Sequence, residues 1–119
     1  MIFREIHPTR TFKKEYKNYR RYKKHLQKDF NSRCGYTDCP DKWFGGPNNF
    51  QIDHLRPKKH FPELLNDYNN LVYCCSYVNQ AKLDDITQDY LDPCDVDYNE
   101  HFERDDDCGI IPKKESLQA

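Results

Sequence analysis

The chain has 119 residues, 33% of them charged, which leaves apolar mass for one domain, or a core with an extension, and favours a small fold with long loops over a thick α/β sandwich. No apolar run approaches the roughly 20 residues that span a bilayer, and the first residues, MIFREIHP, carry no apolar stretch of a secretory signal. The expectation is a cytoplasmic protein with no membrane partner, whose six cysteines are thiols or metal ligands before they are disulfides.

The net charge of −1 hides a strong segregation. Nine Lys/Arg and one acid, Glu15, lie between Arg10 and Lys28, whereas eleven Asp/Glu and one base, Arg104, lie between Asp84 and Asp107. Local patches therefore matter more than the sum, and a polyanion partner is compatible with the basic half.

Residues 1–9 read as an extended lead-in closed by Pro8. From Thr11 to Phe30, Phe12, Tyr16, Tyr19, Leu26 and Phe30 recur at three- and four-residue spacing, which predicts a helix with Thr9 or Thr11 as N-cap and Asn31-Ser32 as its stop. Its other positions carry Lys13, Lys14, Lys17, Arg20, Arg21 and Lys24. That face is either a solvated surface or a contact for a phosphate backbone. The scarcity of acids favours the second, since surface helices usually mix signs for support between neighbouring turns.

Residues 33–49 are loop-rich, with a short strand expected near Arg33. Phe50-Gln51-Ile52-Asp53-His54 alternates apolar and polar like a half-buried strand, ended by Pro57. A helical turn at Phe61 to Leu65, a turn from Asn66 to Asn70 and a short buried run from Leu71 to Cys75 follow. A helix is then expected over about Tyr77 to Asp85, with Asn79 and Lys82 on adjacent turns. Beyond Asp89 the chain is acidic and turn-rich, and residues 105–109 read as a turn between two short hairpin strands. Asp95, Asp97 and Asn99 alternate like the opening of a calcium loop, but Glu100 stands where such a loop needs Gly.

The chemistry concentrates between Phe50 and Lys82. Asp53 and Asn79 offer hard oxygen donors suited to Mg²⁺ or a similar ion. His54, adjacent to Asp53 and directed to the other side of a strand, has the pKa range of a base that takes a proton from water. Lys82 is spaced to meet a phosphate, and Asn70 to tie a loop through backbone hydrogen bonds. Each has a plainer reading: Asp-His pairs are common, Asn79 could cap its helix, and Lys82 could be solvated. Their joint order is what carries the chemical reading.

That order resembles the HNH (His-Asn-His) nuclease family. Asp53-His54-Leu55-Arg56-Pro57 matches the strand that ends in Asp-His-x-x-Pro, Asn70-Leu71 matches the pair opening the second strand, and Val78-Asn79-Gln80-Ala81-Lys82 matches a helix start of the Cys-Asn-x-x-Lys kind with Val in place of Cys. The resemblance covers about a third of the chain. It implies an α+β fold: a ββα-metal core over residues 33–89, preceded by the basic helix of residues 1–32 and followed by an irregular acidic extension, residues 90–119. It implies His54 as general base, Asp53 and Asn79 as ligands of a catalytic Mg²⁺ or Mn²⁺, and Asn70 as the loop brace. Lys82, Arg56, Lys58, Lys59, Arg20, Arg21 and Lys24 are the expected nucleic-acid contacts.

The implied activity is phosphodiester hydrolysis in DNA, with the same chemistry on RNA as an alternative and a non-catalytic zinc or nucleic-acid-binding module as a second. The segments CGY and YLDPCDVDYNEHF around the motif resemble HNH proteins of bacterial anti-phage systems, of the Septu type and some retrons, and imply an ATPase partner. Many HNH proteins also hold a structural zinc through two cysteine pairs. Here Cys34, Cys39 and Cys75 are candidate ligands, residue 78 is Val, and Cys74, Cys94, Cys108 or His60 could supply a fourth. The alternative is that these cysteines are small core residues. In that case packing by Trp43 and Phe44 is expected to hold the 36–49 loop.

Overall fold

Residues 2–76, 92–100, 102–104 and 110–112 are described by the computed structural model of this chain. The centre is a pair of antiparallel strands, β1 (Phe50–His54) and β2 (Leu71–Cys75), registered with Phe50 opposite Cys75 and His54 opposite Leu71. One α-helix, α1 (Lys23–Asp29), packs on β2, which makes a small α+β domain. A second hairpin pairs β3 (Phe102–Arg104) with β4 (Ile110–Pro112). The expected helix over residues 77–85, with Asn79 and Lys82, and the 105–109 turn with Cys108 lie outside the described residues. No helix among the described residues is long and apolar enough to cross a membrane.

All five residues of β2 are buried, so this strand has cover on both faces. Tyr22, Leu26 and Phe30 from the helical segment join Cys34, Phe50, Leu55 and Tyr68 around it. The edge of β2 away from β1 has no third strand among the described residues. Its carbonyls are met instead by other groups: Leu71 O accepts from the Arg10 guanidinium at 2.9 Å, and Tyr73 O accepts from Gly35 N at 2.7 Å. The Arg10 guanidinium also pairs with Asp92 at 2.8 and 3.0 Å, joining residues 10, 71 and 92. Gly35 can come so close only because it lacks a side chain. A Cβ there would stand 2.6 Å from a Val72 methyl and 2.8 Å from the Phe30 ring.

The helix is shorter than the aromatic spacing predicts. It opens with a 3-10 turn over Tyr19–Tyr22, capped by the Asn18 side chain, which accepts from Arg20 N at 3.1 Å. It closes at Asn31 (φ 60°) and Ser32 (φ 58°). There Ser32 N donates to Gln27 O and Asn31 N to Lys28 O, a Schellman ending at the residues expected to stop it. Residues 11–18 are not helical, and three of their backbone donors go to side chains rather than to carbonyls one turn back. Thr11 N and Phe12 N donate to the Asp29 carboxylate, and Tyr16 N to the Tyr22 hydroxyl. Neither Thr9 nor Thr11 is a cap; the Thr11 hydroxyl donates to Asp29 at 2.6 Å. The periodicity arises because this segment folds back along α1. Phe12 stacks on His25 at 3.6 Å between ring centroids, and Tyr16 meets Tyr22 at 5.0 Å.

Of the two aromatics expected to hold the loop over residues 36–49, Trp43 is exposed, and Phe44, though exposed, meets the buried Phe50 at 5.8 Å between ring centroids. The buried Asp41 holds the loop: its carboxylate accepts from Tyr73 OH at 2.8 Å and Gln27 Nε2 at 3.0 Å, and Asp41 N donates to Ser32 O. An isolated bridge between Arg33 and Pro40 stands where a strand near Arg33 is expected. At the other end of the molecule the lead-in meets the acidic tail. Asn99 Oδ1 accepts from Phe3 N and Arg4 N, Asn99 Nδ2 donates to Arg4 O, and Phe3 packs on Tyr98 and Phe102.

Two stability outcomes follow from this packing. Gly35→Ala forces a methyl against Val72 and Phe30 and is expected to cost about 2 kcal/mol, read as a lower urea midpoint at unchanged slope. Asp29→Ala strands the donors of Thr11, Phe12 and Tyr68 and is expected to cost about 3 kcal/mol in the same measurement. Burial opposes the charge on Asp29, but hydrogen bonds from Thr11 and Tyr68 outweigh it and hold the carboxyl below its usual range. A depressed folded pKa gives stability that is complete above the unfolded value, near about 4, and fades as pH falls through the folded one. Asp29→Asn should therefore flatten the acid limb of the midpoint-against-pH curve.

Candidate active site at the end of the first strand

Asp53 and His54 are the last two residues of β1 and are both 8% exposed. As neighbours on a strand they leave opposite faces, and each is fixed on its own side. The Asp53 carboxylate accepts from Tyr36 OH at 2.6 Å. Burial, and then the Asp53 charge, push the Tyr36 hydroxyl well above its ordinary value, so it stays a donor. The His54 Nε2 lies 2.9 Å from Leu65 O. A carbonyl only accepts, so Nε2 carries a proton. The edge of the His54 ring meets Tyr19 at 4.6 Å.

The turn that leaves β1 is locked by Asn70. Leu55 N donates to Asn70 O at 2.8 Å, Arg56 N donates to Asn70 Oδ1 at 2.9 Å, and Asn70 Nδ2 donates to Arg56 O at 3.1 Å. One buried side chain thus satisfies both backbone groups of Arg56 and binds the end of β1 to the start of β2. The 3-10 turn at Tyr68–Asn70, capped by Asp67 through Asn69 N, delivers Asn70 to this place.

Arg20, Arg21, Lys24, Arg56, Lys58 and Lys59 are all exposed. The structure brings two of them to the His54 side. Arg20 lies over the Tyr19 ring at 5.0 Å and Lys58 over the same ring at 5.8 Å, so one aromatic surface carries the histidine edge and two cations. Arg56 covers Phe61 at 5.6 Å, whereas Arg21 sits on Tyr16 at 4.2 Å. Tyr19, Tyr36 and Leu65 are the participants that sequence reasoning missed. The segment Cys34-Gly35-Tyr36 was visible as a unit, but nothing in it signals an aspartate contact, and a backbone carbonyl leaves no side-chain signal at all.

The cysteines divide. A hydrogen bond with Cys75 is the main cause of a Cys34 thiol held well below the usual thiol range, at about 6. Cys39 is turned elsewhere, with its Sγ 3.9 Å from Thr37 O. Cys94 is half-buried, and burial pushes its thiol up to about 12. Cys34 and Cys75 therefore meet, and Cys39 does not complete a trio. Among the described residues no group of three or more His, Cys, Asp or Glu is arranged to hold a metal ion. For a hard divalent ion the described donor is the Asp53 carboxylate, whose chemistry fits it; Asn79, the other expected donor, lies outside the described residues.

Comparison with protein-family models, with curated proteins and with solved structures finds no match to this chain.

Asn70→Ala removes the partners of Arg56 N and Arg56 O and is expected to lower stability by about 2 kcal/mol. Hydrogen exchange should accelerate at Leu55 and Arg56 well before it does at Val72, because the strand pair itself keeps its ladder.

Proposed function

We propose that this chain is a metal-dependent endonuclease of the HNH type, with a ββα-metal core, that hydrolyses phosphodiester bonds in DNA. The observation that carries this reading is the buried His54 ring whose Nε2 is committed to Leu65 O, beside a carboxylate at the end of the same strand. A histidine held in this tautomer presents Nδ1 as the basic nitrogen, the arrangement that general-base catalysis needs. When His54 takes a proton from water, Leu65 O accepts from the Nε2–H of the resulting imidazolium and stabilises its charge. Asn70 keeps the turn after His54 from shifting, and the Tyr36 hydroxyl fixes the Asp53 carboxylate.

Asp53, together with Asn79, would hold a divalent ion, Mg²⁺ or Mn²⁺, which would supply charge neutralisation at the scissile phosphate. Arg56, Lys58, Lys59 and Lys82, with Arg20, Arg21 and Lys24, contribute a phosphate-binding surface whose affinity falls with salt. The cluster of Arg20 and Lys58 around Tyr19 supports a backbone contact close to His54. A role in anti-phage defence, with an ATPase that controls the cut, belongs to the same proposal. Such a partner would copurify with the chain.

The test is nicking of a supercoiled plasmid in Mg²⁺ or Mn²⁺, with EDTA as the control and a structured RNA as a second substrate. Cleavage is expected to vanish in EDTA and to fall at least about 10²-fold in His54→Ala. Undiminished cleavage by His54→Ala overturns the assignment. The depth of His54, 8% exposed, favours one second reading, a non-catalytic nucleic-acid-binding module. That reading predicts salt-sensitive binding with both polymers intact in every metal.

A further inference from the structure

We infer that a second site, separate from Asp53 and His54, binds a phosphate group of a nucleotide between the lead-in and the acidic tail. A cavity of about 250 Å³ there is lined by Arg4, Arg33 and Arg104 together with Glu5 and Asp38. Three guanidiniums face two carboxylates, so the cavity keeps a surplus of positive charge. The residues come from three distant parts of the chain, and the Asn99 contacts with Phe3 and Arg4 hold the lead-in in position to join them.

Arg4 is the central group. Its side chain is 3% exposed, and its guanidinium donates to Gly35 O and lies 4.9 Å from the centre of the Tyr98 ring. Its Nε is the one buried side-chain nitrogen or oxygen among the described residues that has no hydrogen-bond partner. A buried charged donor left unmet is costly, and such groups are normally matched by an acceptor. Asp38 does not fill that role, because its carboxylate stands 4.0 Å from Arg4 Nε and 3.6 Å from Arg33 Nη1. Arg33 Nη1 donates instead to the Asp38 backbone carbonyl at 2.9 Å.

Arg104 closes the group by donating from Nε to Phe3 O at 3.1 Å and from Nη2 to Thr37 O, which ties this rim of the cavity together. Burial pushes the Asp38 carboxyl up against the pull of Arg4, Arg33 and Arg104. Several guanidinium forks around a small cavity suit a tetrahedral oxyanion with several acceptor oxygens, which is the geometry of phosphate. That phosphate can come from a free nucleotide or from the end or backbone of a polynucleotide, and the shared chemistry is the same.

Isothermal titration of the full chain, in EDTA so that no strand is cut, tests this. The titrants are inorganic phosphate, a short oligonucleotide with a 5′-phosphate, and the same oligonucleotide without it. Saturable binding is expected, weakened about tenfold or more in Arg33→Gln and in Arg104→Gln. Arg33 is 42% exposed at its side chain, so that variant should fold; Arg4→Gln is measured beside it with a thermal melt as control. An Arg33-dependent preference for the 5′-phosphorylated strand assigns the site to strand ends. Equal Arg33-dependent binding of both strands assigns it to backbone, and binding of inorganic phosphate alone assigns it to free ligand. No saturable binding of any titrant, or binding indifferent to Arg33 and Arg104, overturns the proposal. Because the reading is made without cleavage and through other residues, it stands or falls apart from the nuclease activity.

Discussion

Four aspartates are buried among the described residues, and three of them receive a tyrosine hydroxyl: Asp29 from Tyr68, Asp41 from Tyr73 and Asp53 from Tyr36, while Asp92 pairs with Arg10. The rest of the structure depends on these pairs. A chain with so little aliphatic mass fills its interior with aromatic rings, and a buried tyrosine needs a partner for its hydroxyl. A buried carboxylate needs donors as badly. Matched one to one, the two requirements cancel, and each pair ties elements distant in sequence. Asp29 joins the end of α1 to the turn before β2, Asp41 joins the 36–49 loop to β2, and Asp53 joins that loop to β1. Burial, reinforced by the partner carboxylate, pushes the Tyr68 and Tyr73 hydroxyls up, so both remain donors.

This network gives the candidate site its rigidity. Asp53 is both a structural acceptor and the carboxylate proposed as a metal ligand, so a residue proposed for chemistry is anchored by the same device that anchors the core. His54 is anchored differently, by a carbonyl on one nitrogen and an edge-to-face contact of its ring with Tyr19. Between them, Asn70 prevents the turn after β1 from opening. Sites built on a strand pair with such bracing keep their geometry to a fraction of an ångström, which loops alone rarely do.

What could be read from the sequence follows from how local its cause is. The alternation of FQIDH and the apolar run LVYCC mark β1 and β2, because burial of strand faces writes itself into consecutive residues. The pairing of β3 with β4 was legible from the two short runs that flank an acidic stretch of the sequence. The start of the helix was not. Phe12 and Tyr16 have helical spacing yet pack against α1 from outside it, and the deciding group, the Asp29 carboxylate, lies 18 residues from Thr11. At the candidate site, Asp53, His54 and Asn70 stood out by type and order, whereas Tyr36 and Tyr19 looked like ordinary aromatics. Cys34 and Cys75 do approach each other, but the turn of Cys39 toward Thr37 is a local backbone outcome that cysteine spacing does not encode.

The carbonyl of Leu65 has a consequence for how this protein can vary. The group that sets the protonated nitrogen of His54 belongs to the main chain, in a segment shaped by the 3-10 turn at Pro62–Leu64. Exchange of the side chain at residue 65 leaves that oxygen where it is. Lengthening or shortening the segment by a single residue moves the oxygen away from the ring. Drift in composition is therefore tolerated at residue 65, while drift in length between residues 62 and 66 is not.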